Sequence, residues 1–95
     1  MIVSGGENVF PAEVEDVLLR HPGVADAAVV GVPDGRFGQR LKAVVVRRAG
    51  CEVGADELRA HVKARLASYK APRDVVFADE LPRTASGKVI RRELP

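Results

Sequence analysis

Cysteine, aromatic residues and an excess of charge of either sign are all scarce in this chain. Cys51 is the one cysteine in 95 residues. An intrachain disulfide is therefore excluded, and a thiol-rich metal site with it. A reduced, cytoplasmic setting is the expectation that follows. Cys51 lies between Gly50 and Gly54 with no histidine-bearing motif beside it, so it reads as a loop residue and not as a nucleophile. Tryptophan is absent, and the aromatics are Phe10, Phe37, Tyr69 and Phe77. They are too scattered to form the basic and aromatic stacking surface that single-stranded nucleic acid needs. Fifteen Lys and Arg face thirteen Asp and Glu, a net charge of +2. Nucleic acid is not indicated as the main partner. No apolar run approaches the roughly 20 residues of a membrane-spanning helix, so no transmembrane segment is expected. The opening residues Met1 to Gly6 lack the basic and long apolar regions of a signal peptide.

What remains describes a globular domain. Hydrophobic residues make up 46% of the chain and charged residues 29%. A single domain over residues 1–95 is expected, long enough to bury a core. Met1–Val3 and Asn8–Phe10 flank Ser4-Gly5-Gly6 and read as a small hairpin. Pro11 opens a helix, because its missing N–H would be unpaired at the first helical position anyway. Val14, Val17, Leu18 and His21 share one face of it. Pro22-Gly23 ends it. Val24–Val32 reads as a strand stopped by Pro33-Asp34-Gly35, with Arg36–Arg40 as loop. Leu41–Arg48 reads as the next strand. A second helix from Asp56 to about Tyr69 aligns Leu58, Val62, Leu66 and Tyr69. Pro72 stops it, Asp74–Ala78 is a third strand, and Ile90 starts a short last helix. The order βαββαβ predicts an α+β fold: a small three-stranded sheet with packed helices plus an N-terminal β-hairpin. His21 and His61 are isolated and read as helix-surface or boundary residues, since a metal site needs several converging donors. No metal site is expected.

Two stretches carry candidate chemistry. The first is Pro82-Arg83-Thr84-Ala85-Ser86-Gly87-Lys88. A lone lysine on a Gly/Ser/Thr loop offers a compact positive charge on a long stem, which suits a phosphate-handling step. Gly87 allows close backbone approach. The phosphate-cradling pattern G-x-x-x-x-G-K-[ST] fails, because Pro82 stands where its first glycine belongs and Val89 follows Lys88. Lys88 would have to act on a nucleotide held mainly by something else. The plainer alternative is a solvated basic tail. The second stretch is Ser4-Gly5-Gly6-Glu7-Asn8-Val9-Phe10-Pro11-Ala12-Glu13-Val14-Glu15. Its paired glycines either admit a close ligand or simply form a hairpin turn.

Together these stretches resemble the C-terminal domain of the adenylate-forming (AMP-binding) superfamily of acyl-CoA synthetases, peptide-synthetase adenylation domains and luciferases. Val30-Gly31-Val32-Pro33-Asp34 and Tyr69-Lys70-Ala71-Pro72 match family habits between them, so the resemblance covers essentially the whole chain. Gly-Gly-Glu-Asn followed by Phe-Pro-Ala-Glu-Val-Glu resembles the acyl-CoA synthetase branch.

The resemblance implies a carboxylic acid activated with ATP and Mg2+ and passed to coenzyme A. ATP, Mg2+ and the acid would be held mainly by an N-terminal adenylation domain, the expected partner. The family's hinge lies just before the segment matching Met1-Ile2-Val3. Lys88 is the implied catalytic lysine of adenylation, with Thr84, Ser86 and Gly87 supporting its loop. Ser4, Gly5, Gly6 and Glu7 are the implied loop of the coenzyme A channel. The two would act in turn as the domain rotates. A non-catalytic stand-alone module that binds coenzyme A or an adenylation domain is the alternative. A small RNA-binding domain is a third reading, and no RNA-binding motif supports it.

Overall fold

The structure is a computed structural model that describes residues 1–36 and 38–95. The expected α+β architecture is present. Strands β1 (Ile2–Ser4) and β2 (Glu7–Val9) form an antiparallel hairpin. Helix α1 (Pro11–Leu19) follows, then β3 (Val24–Asp34), β4 (Gly38–Arg47), helix α2 (Ala55–Lys63) and β5 (Asp74–Phe77). The main sheet has the order β3-β4-β5, with β3 and β4 antiparallel and β4 and β5 parallel. The parallel pair explains why a helix must lie between its members, since parallel strands need a long crossover.

Alternation along the strands divides the sheet into two covered faces. Ala27 and Val29 of β3 and Leu41, Ala43 and Val45 of β4 share a core with Val14, Val17 and Leu18 of α1 and Leu58 and Val62 of α2. Ala28 and Val44 point the other way and meet Leu81, with Val46, Ala78, Val89 and Leu94 packed around them. The C-terminal segment is thus the lid of the second face. The histidines sit between the helices as boundary residues. His21 shares a 2.8 Å hydrogen bond with Glu57 and accepts one from the Gly23 amide at Nδ1, while His61 donates to the Val17 carbonyl.

Several boundaries differ from the sequence reading. β3 continues through Pro33 to Asp34, and Gly38–Arg40 belongs to β4 instead of a loop. Proline is tolerated there because β3 is an edge strand. The Pro33 carbonyl accepts a 2.8 Å bond from Arg40. Phe37, which the sequence reading placed in that loop, lies outside the described residues. α2 ends at Lys63, not near Tyr69. Pro72 is fully buried and holds Ala71 extended, at ψ 134°. The chain therefore turns back early, through a short 3-10 turn at Ser68–Lys70. Tyr69, expected on the apolar face, is 44% exposed. The last helix is a single 3-10 turn, Arg91–Glu93.

Candidate functional site

The glycine stretch forms the tip of the β1–β2 hairpin. Gly5 and Gly6 sit at φ 59° and 83°, the left-handed region that favours glycine. A Cβ added at Gly6 would meet nothing within 4 Å. Backbone conformation, not crowding, is what calls for glycine at that position. Ser4, Gly5 and Glu7 line an open groove of about 280 Å³ with Ser68, Tyr69, Ala71 and Arg73. Tyr69 and Arg73 had no place among the sequence-predicted site residues. The Tyr69-Lys70-Ala71-Pro72 run was the available signal, and the misread helix end hid its proximity to the hairpin.

Ion pairing fixes one wall of this groove. Lys70 pairs with Glu13 of α1. The Glu13 carboxylate holds the Lys70 ammonium above the ordinary lysine value, chiefly through their hydrogen bond. The hairpin itself is docked on the far end of the β3–β4 ribbon. The Val3 amide donates to Gln39 Oε1 at 3.0 Å, and the Ile2 side chain lies over Gly31.

The lysine stretch forms a tight turn. The Gly87 amide donates to the Thr84 carbonyl (2.9 Å), and the Thr84 amide donates to the Lys88 carbonyl (2.8 Å). Thr84 Oγ1 accepts from the Lys88 amide at 3.2 Å and lies 3.0 Å from Ser86 Oγ. Gly87 takes φ 90°, which a residue with a side chain would adopt only under strain. Arg83 and Val89 pair across the turn. Thr84, Ser86 and Gly87 therefore shape the loop that presents Lys88. Lys88 is exposed, and its ammonium has no hydrogen bond or ion pair among the described residues.

The structure keeps the lysine turn apart from the glycine hairpin, although Arg91, just past the turn, pairs with Glu15 at the end of the glycine stretch. The lysine turn is tied to Asp26 near the start of β3, whereas the hairpin sits by Gly31. These positions are about 17 Å apart along an extended strand. No hydrogen bond or ion pair among the described residues joins the two stretches. No group of three or more His, Cys, Asp or Glu among them could hold a metal ion. Among the described residues no helix is long and apolar enough to cross a membrane.

The fold as a whole is that of a known domain class. Residues 13–88 match the family described as the AMP-binding enzyme C-terminal domain, and the chain belongs to that family. Among curated relatives, it is 53% identical over 94 residues to a feruloyl-CoA synthase from Amycolatopsis sp., a match that covers 99% of this chain and 19% of the relative. It is 50% identical over 95 residues to a 4-chlorobenzoate–CoA ligase from Pseudomonas sp., covering 99% of this chain and 18% of that one. Among solved structures it superposes on an acyl-CoA synthetase from Brucella canis with a TM-score of 0.92 at 45% identity, over 96% of this chain and 17% of that one. The chain spans about a fifth of the length of the curated relatives it matches.

Proposed function

We propose that this domain is the mobile C-terminal lid of an acyl-CoA synthetase, which converts a carboxylic acid, ATP and coenzyme A into acyl-CoA, AMP and pyrophosphate. The observation that carries this reading is the match to CoA ligases along the whole chain, both loops included. An N-terminal adenylation domain would hold ATP, the acid and Mg2+.

In the first half-reaction a carboxylate oxygen attacks the α-phosphorus. The bond to the bridging oxygen breaks, and pyrophosphate leaves with the electron pair. Negative charge builds on the phosphate oxygens, and a positioned cation lowers that barrier. Lys88 supplies the cation. Its ammonium has no hydrogen bond or ion pair among the described residues, which suits a ligand outside the domain. In the second half-reaction the thiol sulfur of coenzyme A attacks the acyl carbon and AMP departs. Ser4, Gly5, Gly6 and Glu7 line the path of the thiol arm, where a backbone without bulky side chains leaves it room. The two loops are anchored at separate points of β3, Asp26 and Gly31, so a rotation of the whole domain would exchange one for the other.

The test is to assay the full-length protein for acid-dependent ATP–pyrophosphate exchange and for thioester formation across a panel of aliphatic and aromatic acids. Both activities are expected, and the isolated 95-residue chain should show neither. A full-length protein that binds coenzyme A without exchange activity would favour the stand-alone binding module instead.

A further inference from the structure

The segment carrying Lys88 is fastened to one edge strand on both sides of the lysine. On the near side, the Arg83 guanidinium forks. One nitrogen donates to the Gly87 carbonyl at 2.7 Å, the peptide immediately before Lys88. Another meets Asp26 Oδ2 of β3 at 2.5 Å. The β3 ladder slips register between Val24 and Asp26, and such a bulge re-aims the neighbouring side chain. The other Asp26 oxygen accepts the Ala27 amide, so the carboxylate is held from both directions.

Beyond Lys88, Arg91 donates to the Val29 carbonyl at 2.6 Å. It also meets Glu15 Oε2 at 3.2 Å. That same Glu15 oxygen accepts the Val29 amide at 2.7 Å. The outer edge of β3 has no strand beside it. Its Val29 N–H and C=O, which would otherwise be an open template for another strand, are filled by Glu15 and Arg91 together.

These ties are partly exposed, with Arg83 and Arg91 side chains at 40% and 48%. Ion pairs in such positions add little to stability. What they constrain is placement. Val89 is already seated on the second sheet face. Adding a fork on the preceding peptide and a clamp after it leaves the Lys88 backbone little freedom to swing.

We propose that Arg83–Asp26 and Arg91–Glu15 are positioning pairs that hold Lys88 at a fixed place on the domain, so that one rigid-body rotation delivers its ammonium to the reacting phosphate. The proposal rests on the lid reading above and gives these residues a role exerted through the placement of Lys88. A displacement of about 1 Å at a reacting group costs on the order of 10²-fold in rate.

The experiment compares Arg83→Ala, Arg91→Ala, the charge swap Arg83→Asp with Asp26→Arg, and Lys88→Ala in the full-length enzyme. Each is measured for ATP–pyrophosphate exchange, for thioester formation from supplied acyl-adenylate, and for thermal unfolding. Each arginine variant should lose exchange by at least about 10-fold through kcat, within the range of a misplaced group. Thioester formation should stay within about 2-fold, which separates this effect from general unfolding. The charge swap should recover only the share of the exchange rate that the ion pair to β3 carries, because an aspartate at 83 cannot donate to the Gly87 carbonyl. Equal falls in both half-reactions that follow a lowered Tm, or exchange that survives both arginine substitutions while Lys88→Ala abolishes it, would overturn the positioning role. Exchange that survives Lys88→Ala itself would instead overturn the part of the lid reading that makes Lys88 the adenylation cation.

Discussion

Lys70 and Glu13 form an ion pair that ties the Ser68–Lys70 turn to helix α1. The pair joins two segments that both border the glycine hairpin. Tyr69 next to it contributes its ring, 5.7 Å from the Lys70 ammonium. Folding raises the Lys70 pKa, with the Glu13 hydrogen bond as the largest cause. A raised lysine pKa means that the pair's contribution is complete below the ordinary lysine value and declines as pH rises through the folded-state value. Glu13→Gln should therefore lower Tm at neutral pH. The gap between wild type and variant should close as pH climbs past 10.5, the ordinary lysine value. Thermal melts of both proteins along a pH series check this. A gap that stays constant into strong alkali would show that the pair contributes nothing through charge.

Leu58 and Tyr69 test where the second helix ends. Leu58 is fully buried against the sheet, whereas Tyr69 is 44% exposed. Leu58→Ala should cost about 2–5 kcal/mol, the usual range for a buried leucine. Tyr69→Ala should stay near 0.5 kcal/mol or below, as surface substitutions do. Urea unfolding of the two variants gives both numbers. Comparable losses would mean that the helix continues to Tyr69.

The contrast between these two residues also shows what was legible in the sequence. Local pattern placed α1 and the Val44-Val45-Val46 strand correctly, because α1 buries one regular face and the valine run is covered on both faces of the sheet. It failed at Tyr69 because nothing local ends that helix: Leu66 and Tyr69 continue the pattern of Leu58 and Val62. The helix stops because Pro72 is drawn into the core and β5 must align parallel to β4. Those are tertiary demands. Pro33 misled for a related reason, since a proline in a strand reads as a stop until the strand is known to be an edge. The turn around Lys88 was visible as Gly-Lys chemistry. Its anchoring was not, because Asp26 and Glu15 lie far from it in the chain.

Gly6 separates backbone strain from blockage. At φ 83° with open space around it, a substituent suffers through its backbone and not through a clash. Gly6→Asn should be well accommodated, because asparagine visits the left-handed region. Gly6→Leu should cost roughly 1–2 kcal/mol of hairpin stability. On the proposed lid reading, Gly6→Leu in the full-length protein should slow thioester formation more than adenylation, since its side chain would stand in the path proposed for the thiol arm. Measuring both half-reactions for both variants distinguishes the cases. Equal loss in the two steps with leucine, and none with asparagine, would point to a disturbed hairpin alone.

On the proposed lid reading, Lys88 should divide the two half-reactions most sharply. Its ammonium makes no contact among the described residues, so its removal should leave folding within about 0.5 kcal/mol of wild type. The turn is held by Thr84, Gly87 and Arg83, none of which depends on the Lys88 side chain. Adenylation is different. There the charge would meet oxygens that become more negative in the transition state, and losing such a group costs about 2.7–4 kcal/mol. Lys88→Ala should therefore slow ATP–pyrophosphate exchange by about 10²–10³-fold. Lys88→Arg should not restore it fully, because a planar fork is not a compact point charge. Thioester formation from preformed acyl-adenylate should keep most of its rate in both variants, because the lysine turn would by then be rotated away. Exchange and thioester assays on the same preparations, with Tm as the control, decide the matter. If exchange survives Lys88→Ala, or both steps slow alike, the stretch is a basic tail and the catalytic cation lies elsewhere.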